Sequence, residues 1–175
     1  MNEIRLVKGD ITRIRADAIV NAASEALRGG GGVDGAIHRA GGPAVMADLE
    51  RRYGPRRHCP TGSAVVSVAG ELPARYVIHA VGPIWYGGTA GEAELLASAY
   101  RTSLELARHH GCRTVAAPAI STGVYGYPIL RAAPVALRAV ADWLAENPET
   151  MDEVTFVLYS VDWLEVFEQA LAELS

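Results

Sequence analysis

The chain is poor in cysteine and lysine, and it has no long apolar run. Its two cysteines, Cys59 and Cys112, are far apart in sequence and form neither a CxxC unit nor a disulfide framework. They read as core or surface thiols. No stretch is apolar for the length a bilayer demands. Residues 1–10 alternate charged with apolar side chains and lack the apolar core of a signal peptide. The expectation is a soluble, cytoplasmic protein. Among sixteen basic residues only Lys8 is lysine. Arginine suits bidentate phosphate contacts, but a compositional bias accounts for the ratio equally well. The net charge of −4 argues against a general nucleic-acid binder, though not against a local basic patch. His58, His79, His109 and His110 show no metal-ligand spacing, so neither metal nor cofactor is expected.

What is present is an ordinary globular mix. Half of the 175 residues are hydrophobic and 21% are charged, enough for one domain over 1–175 and too little for two. Residues 3–8, 18–20, 64–68, 76–81, 114–117 and 154–159 read as strands. Residues 35–40, 43–52, 92–110, 129–146 and 163–174 read as helices, with Pro43 opening the second and Gly111 stopping the third. Strands alternating with helices predict a central sheet covered on both faces. In such sheets ligands sit beyond the carboxyl ends of strands, which directs attention to three loops.

The first loop runs from Gly29 through four consecutive glycines to Val33, Asp34 and Gly35. Consecutive glycines let backbone amides approach an anion, and a following helix adds the positive end of its dipole. Gly30, Gly32 and Gly35 satisfy GxGxxG, yet seven residues separate them from the preceding strand. A dinucleotide fingerprint follows its strand directly, so a nicotinamide oxidoreductase is disfavoured. The second loop, Ser121-Thr122-Gly123-Val124-Tyr125-Gly126-Tyr127-Pro128, offers hydroxyls, glycines and aromatic rings suited to a diphosphate and a sugar. The third, Gly9-Asp10-Ile11-Thr12, places an acid after a strand, where it can accept from an amino group or cap a turn.

With Val20-Asn21-Ala22-Ala23, GGGGVDGAIHR (29–39) and Val81-Gly82-Pro83-Ile84-Trp85, these segments resemble the macrodomain family, in particular its MacroD-type branch, over nearly the whole chain and in order. The resemblance implies a three-layer α/β/α sandwich around a mixed six-stranded sheet. It implies ADP-ribose as ligand, and hydrolysis of O-acetyl-ADP-ribose or removal of mono-ADP-ribose from acidic side chains of proteins. By the same resemblance, Asp10 accepts from the adenine amino group, Ile11 packs on the adenine face and Tyr159 forms its second wall. Gly31, Gly32 and Val33 line the diphosphate and distal ribose, with Asn21 counted among the ligand-binding residues. Ser121, Thr122, Gly123 and Val124 wrap the diphosphate from the other side, and Tyr125 packs on the distal ribose. Asp34 becomes the catalytic residue, orienting or deprotonating a water. A carboxylate is a weak base at neutral pH, so Asp34 gains more from position and a dry site than from basicity. It is equally placed to cap a helix starting at Gly35. His38, one turn on, is read as a packed helix residue without chemistry.

One position departs from the MacroD-type pattern. Ser24 stands where that pattern has the Asn that holds a distal-ribose hydroxyl. Serine cannot present an amide's separate donor and acceptor. Retained binding with reduced hydrolysis is expected, and a reader module that binds ADP-ribose without turnover is the alternative. A nucleic-acid binder using Arg51, Arg52, Arg56, Arg57 and His58 is a further rival. That run follows Asp48 and Glu50 and lacks interleaved aromatics, so a solvated surface is the expected meaning.

Overall fold

The computed structural model describes residues 3–174, so Met1 and Asn2 of the N-terminal reading lie outside them. The strands are β1 (Ile4–Lys8), β2 (Ala18–Ala22), β3 (Ala64–Val68), β4 (Tyr76–Ala80), β5 (Thr114–Ala117) and β6 (Glu153–Leu158). The helices are α1 (Gly32–Gly41), α2 (Pro43–Tyr53), α3 (Glu92–His109), α4 (Ile129–Glu146) and α5 (Val161–Ala172). A 3-10 turn, Ile11–Arg13, follows β1. None of the helices is long and apolar enough to cross a membrane.

The strands form one sheet in the order β1-β6-β5-β2-β4-β3. Every pairing is parallel except β3 with β4. Parallel neighbours need crossovers, which the helices supply, whereas β3 and β4 are joined by a short return. Strand residues alternate between the faces. Ala18, Val20, Ile78, Ala80, Val115, Ala117, Val154 and Phe156 face α3, α4 and α5, where Tyr100, Leu137 and Phe167 complete the larger core. Ile19, Val77, Ala116 and Val157 face the other way, onto Ile37 of α1 and Ile11 of the 3-10 turn. This is the mixed six-stranded α/β/α sandwich that the resemblance implies.

α2 lies along the outer side of β3. The Tyr53 hydroxyl donates to Val66 O at 2.7 Å and accepts from Val66 N, and Asp48 Oδ2 accepts from Val68 N at 2.8 Å. Backbone groups that an edge strand would leave open are thereby satisfied.

Two boundaries differ from the sequence-based expectation in ways that concern the site. α1 begins at Gly32 with Gly31 as its N-cap, three residues before the expected start. Asp34 therefore sits inside the first turn and is not the cap. Glycine's low helix propensity makes the run read as loop, and tertiary packing overrides it. The 3-10 turn was expected only as loop. Asp10 caps it, accepting from Thr12 N at 3.0 Å and Thr12 Oγ1 at 2.7 Å.

Candidate active site

A cavity of about 740 Å³ opens at the carboxyl ends of the parallel strands, a volume suited to a small organic ligand. Gly9, Asp10 and Ile11 line it after β1, Tyr159 after β6, residues 118–125 after β5, Ala22 to Ser24 around the end of β2, and Gly82 beyond β4. Gly29 to Asp34 complete the wall. All three loops singled out in the sequence thus converge on one cavity, as expected for a sheet of this kind.

At the β1–β6 end, Asp10 uses Oδ1 for both Thr12 bonds. Those bonds hold its carboxyl below the usual range. An ionised acceptor is left at the cavity rim, and its second oxygen takes no hydrogen bond from a described residue. Beside it are the buried Ile11 and the exposed Tyr159, whose ring meets Trp163 edge-on at 4.5 Å between centroids. Trp163 also lines the cavity. The Ser160 N-cap accepts from its backbone N and sets its place one turn into α5.

Two backbone segments face the middle of the cavity. One is the first turn of α1, whose leading N–H groups have no partner within the helix. The other is the loop after β5. Its ends are tied by Tyr127 N to Ser121 O at 3.0 Å and Gly126 N to Gly123 O at 2.9 Å. Among the described residues, the N–H groups of Gly123, Val124 and Tyr125 reach no backbone acceptor. Ser121 is held in the left-handed region at φ 71° with a buried hydroxyl. Two close approaches shape this wall. A Cβ on Gly35 would stand 2.4 Å from Gly30 O, and one on Gly82 would stand 2.2 Å from Ser121 Oγ. Only glycine permits either contact.

The deepest polar feature surrounds Asp34, which is 7% exposed. Its Oδ1 accepts from Asn21 Nδ2 at 2.8 Å and lies 3.3 Å from His38 Nε2. Its Oδ2, beside Gly30, takes no hydrogen bond from a described residue and belongs to the cavity side. The two oxygens are therefore unequal: one is anchored and the other is available. The i, i+4 spacing of Asp34 and His38 on α1 brings the packed His38 ring to the carboxylate. Asn21 is fully buried and does not line the cavity. It stands behind Asp34 and meets His79 Nδ1 at 3.1 Å, and His79 Nε2 meets Ser67 Oγ at 2.8 Å. Burial, then neighbouring His38, pushes His79 down to about 3, against the pull of Asp34 and Asp48.

A second support lies behind Tyr125. The Tyr125 carbonyl accepts from Trp85 N at 2.9 Å, and the Trp85 ring packs on Tyr127 at 4.6 Å. The loop carrying Trp85 is held by Glu92, 1% exposed, whose carboxylate accepts from the backbone N of Tyr86, Gly88 and Ala90 at 2.7–3.0 Å. Burial alone would raise the carboxyl, but those donors and the N–H of Glu92 itself outweigh it and bring it down to about 2.

Of the residues singled out in the sequence, Asp10, Ile11, Ser24, Gly31, Gly32, Val33, Asp34, Ser121, Thr122, Gly123, Val124, Tyr125 and Tyr159 all line the cavity. Trp163 joins them as a lining residue that the sequence does not single out, and His38, His79, Ser67 and Glu92 support the wall from behind without lining the cavity. Polar side chains inside otherwise apolar strands were the available signal for Ser67 and His79. In the basic run 51–58, Arg51, Arg52, Arg56 and His58 are exposed, as expected of a solvated surface, and only Arg57 is buried. Arg51 and Arg52 bond Asp48, Arg57 is buried against the Leu27 and Gly54 carbonyls, and His58 lies 3.8 Å from Glu25.

Residues 20–136 match the Macro domain family model. A Macro domain-containing protein of Caldanaerobacter subterraneus subsp. tengcongensis is 54% identical over 98% of this chain and 97% of its own length. An O-acetyl-ADP-ribose deacetylase of Enterobacter cloacae subsp. cloacae is 48% identical over 98% of this chain and 94% of its own. Among solved structures, a mutant of the Oceanobacillus iheyensis macrodomain with ADPR superposes with a TM-score of 0.92 at 39% identity, covering 99% of this chain and 94% of that one. The loops that frame the cavity and the sheet that carries them are those of one family: the chain belongs to the macrodomains.

Proposed function

We propose that the protein binds ADP-ribose in this cavity and hydrolyses groups attached to the distal ribose, either the O-acetyl ester or the link between mono-ADP-ribose and an acidic side chain of a protein. The observation that carries this reading is the unequal Asp34 carboxylate, buried in the wall, with Oδ1 anchored by Asn21 and Oδ2 left to the cavity.

In this reading adenine lies between Ile11 and Tyr159 and donates its amino group to Asp10. The diphosphate lies between the N-terminal turn of α1 and the loop 121–124, where unpaired amides and the helix dipole favour an anion. Tyr125 and Ser24 meet the distal ribose. Asp34 Oδ2 holds or deprotonates a water. In the ester reaction that water adds to the carbonyl carbon, the bond from that carbon to the ribose oxygen breaks, and acetate and ADP-ribose leave. Position and exclusion of solvent supply more of the acceleration than basicity does. The names of the Enterobacter deacetylase and of the ADPR-bound macrodomain structure support the reading.

A second reading, a reader module without turnover, is favoured by Ser24 alone. A time course of ADP-ribose release from O-acetyl-ADP-ribose and from a glutamate-linked mono-ADP-ribosylated protein separates the two. Release that disappears in Asp34→Ala supports the hydrolase. No release above background, with ADP-ribose binding intact by calorimetry, makes the protein a reader.

A further inference from the structure

Behind Asp34, away from the cavity, three adjacent strands carry a line of buried polar side chains. Ser67 on β3, His79 on β4 and Asn21 on β2 are each 0% exposed. Asn21 and His79 are direct partners in the parallel β2–β4 register. The line ends at Asp34 on α1, which packs over this face.

Hydrogen-bond chemistry leaves the line a single arrangement, with donation running outward from Asn21 to both sides. The Asn21 amide nitrogen has two N–H donors. One goes to Asp34 Oδ1 at 2.8 Å, and the other meets His79 Nδ1 at 3.1 Å. Turning the amide over would set its carbonyl oxygen against a carboxylate, so this orientation is the favourable one. It is kept although Asn21 Oδ1, buried, finds no partner among the described residues. A nitrogen that faces an N–H donor must accept. Nδ1 of His79 is therefore bare, and the ring proton sits on Nε2, donated to Ser67 Oγ at 2.8 Å. The Ser67 hydroxyl spends its own proton on Val68 O at 2.9 Å. The chain of donors thus closes on the backbone.

We propose that His79 is a positioning residue: as the Nε2–H tautomer it takes up one N–H of Asn21, and this aims the other at Asp34 Oδ1 and turns Oδ2 toward the bound ribose. His79 does not line the cavity, so it acts through Asn21 and Asp34. Burial keeps its ring neutral, so the line transmits orientation and not charge. Full burial of three polar side chains has a cost that a purely apolar strand face would avoid. A fixed carboxylate beside the ligand is what that cost secures. The inference rests on Asp34 acting on the bound ribose.

Ring-nitrogen NMR of the wild-type protein, together with two substitutions, tests it. The spectrum is expected to show Nδ1 of His79 bare and Nε2 protonated at neutral pH. His79→Leu removes the acceptor and is expected to lower kcat about tenfold or more while the ADP-ribose Kd stays within about twofold. His79→Asn, whose side-chain oxygen falls near the place of Nδ1, is expected to restore kcat to within about threefold of wild type. A proton on Nδ1, a doubly protonated ring, or a folded His79→Leu protein with unchanged kcat overturns the inference. If His79→Leu fails to fold, Ser67→Ala replaces it, with the same expected separation of kcat from Kd. If wild-type protein releases nothing from either substrate, the hydrolase reading falls, and the ring resonances still decide the state of His79.

Discussion

The backbone N–H of Trp85 donates to the carbonyl of Tyr125 at 2.9 Å. Through that bond the loop after β4 holds the loop after β5, which walls the cavity. The first loop is in turn gathered around Glu92.

Glu92 should therefore matter for both stability and binding. Its carboxyl falls from an ordinary 4.5 to about 2 in the folded protein. A depressed folded value means that its contribution is complete above the unfolded value and is lost as pH falls from 4.5 toward 2. Glu92→Gln should lower the melting temperature at pH 7 and flatten the acid limb of stability in that window. Acid melts of both proteins that run parallel would refute this account.

Ser24→Asn should raise turnover about three- to tenfold, the worth of one neutral hydrogen bond to a ribose hydroxyl. Steady-state kinetics on O-acetyl-ADP-ribose measure it. Unchanged or slower turnover would show that Ser24 does not limit the reaction.

Asp10→Asn separates capping from recognition. Asparagine caps about as well as aspartate, so the Thr12 bonds and the melting temperature should persist. With its carbonyl committed to Thr12, the amide would turn a donor toward another donor, the adenine amino group. Calorimetry should show ADP-ribose binding weakened by about tenfold. Equal affinity would remove Asp10 from adenine recognition.

Gly82→Ala should force the loop after β5 outward, because the new methyl would meet Ser121 Oγ at 2.2 Å. Overpacking of this kind costs about 1–3 kcal/mol. Chemical denaturation and ADP-ribose calorimetry should both register the change. A protein as stable and as avid as wild type would mean that the loop yields freely.

The cavity wall was readable in the sequence to a large extent, because its residues lie in runs. Glycines, hydroxyl residues and tyrosines cluster at 29–35 and 121–128, just where strand patterns end. The support behind the wall was not readable. Ser67, His79 and Asn21 meet only because β4 lies between β3 and β2, and strand order is not contained in periodicity. His38 was visible at helical spacing from Asp34, but spacing does not reveal where a ring points. Trp163 read as the start of a helix. The cap at Ser160 starts that helix earlier and turns the indole to the cavity.

The far side of the sheet carries a different consequence. The Tyr53 hydroxyl and the Asp48 carboxylate already occupy the amides of Val66 and Val68 on β3. A second polypeptide seeking to add itself to the sheet there would have to evict a phenol and an ion-paired acid before making its first ladder bond. On this flank the protein is guarded against strand-by-strand growth into fibres, and at high concentration it should lose solubility by some other route.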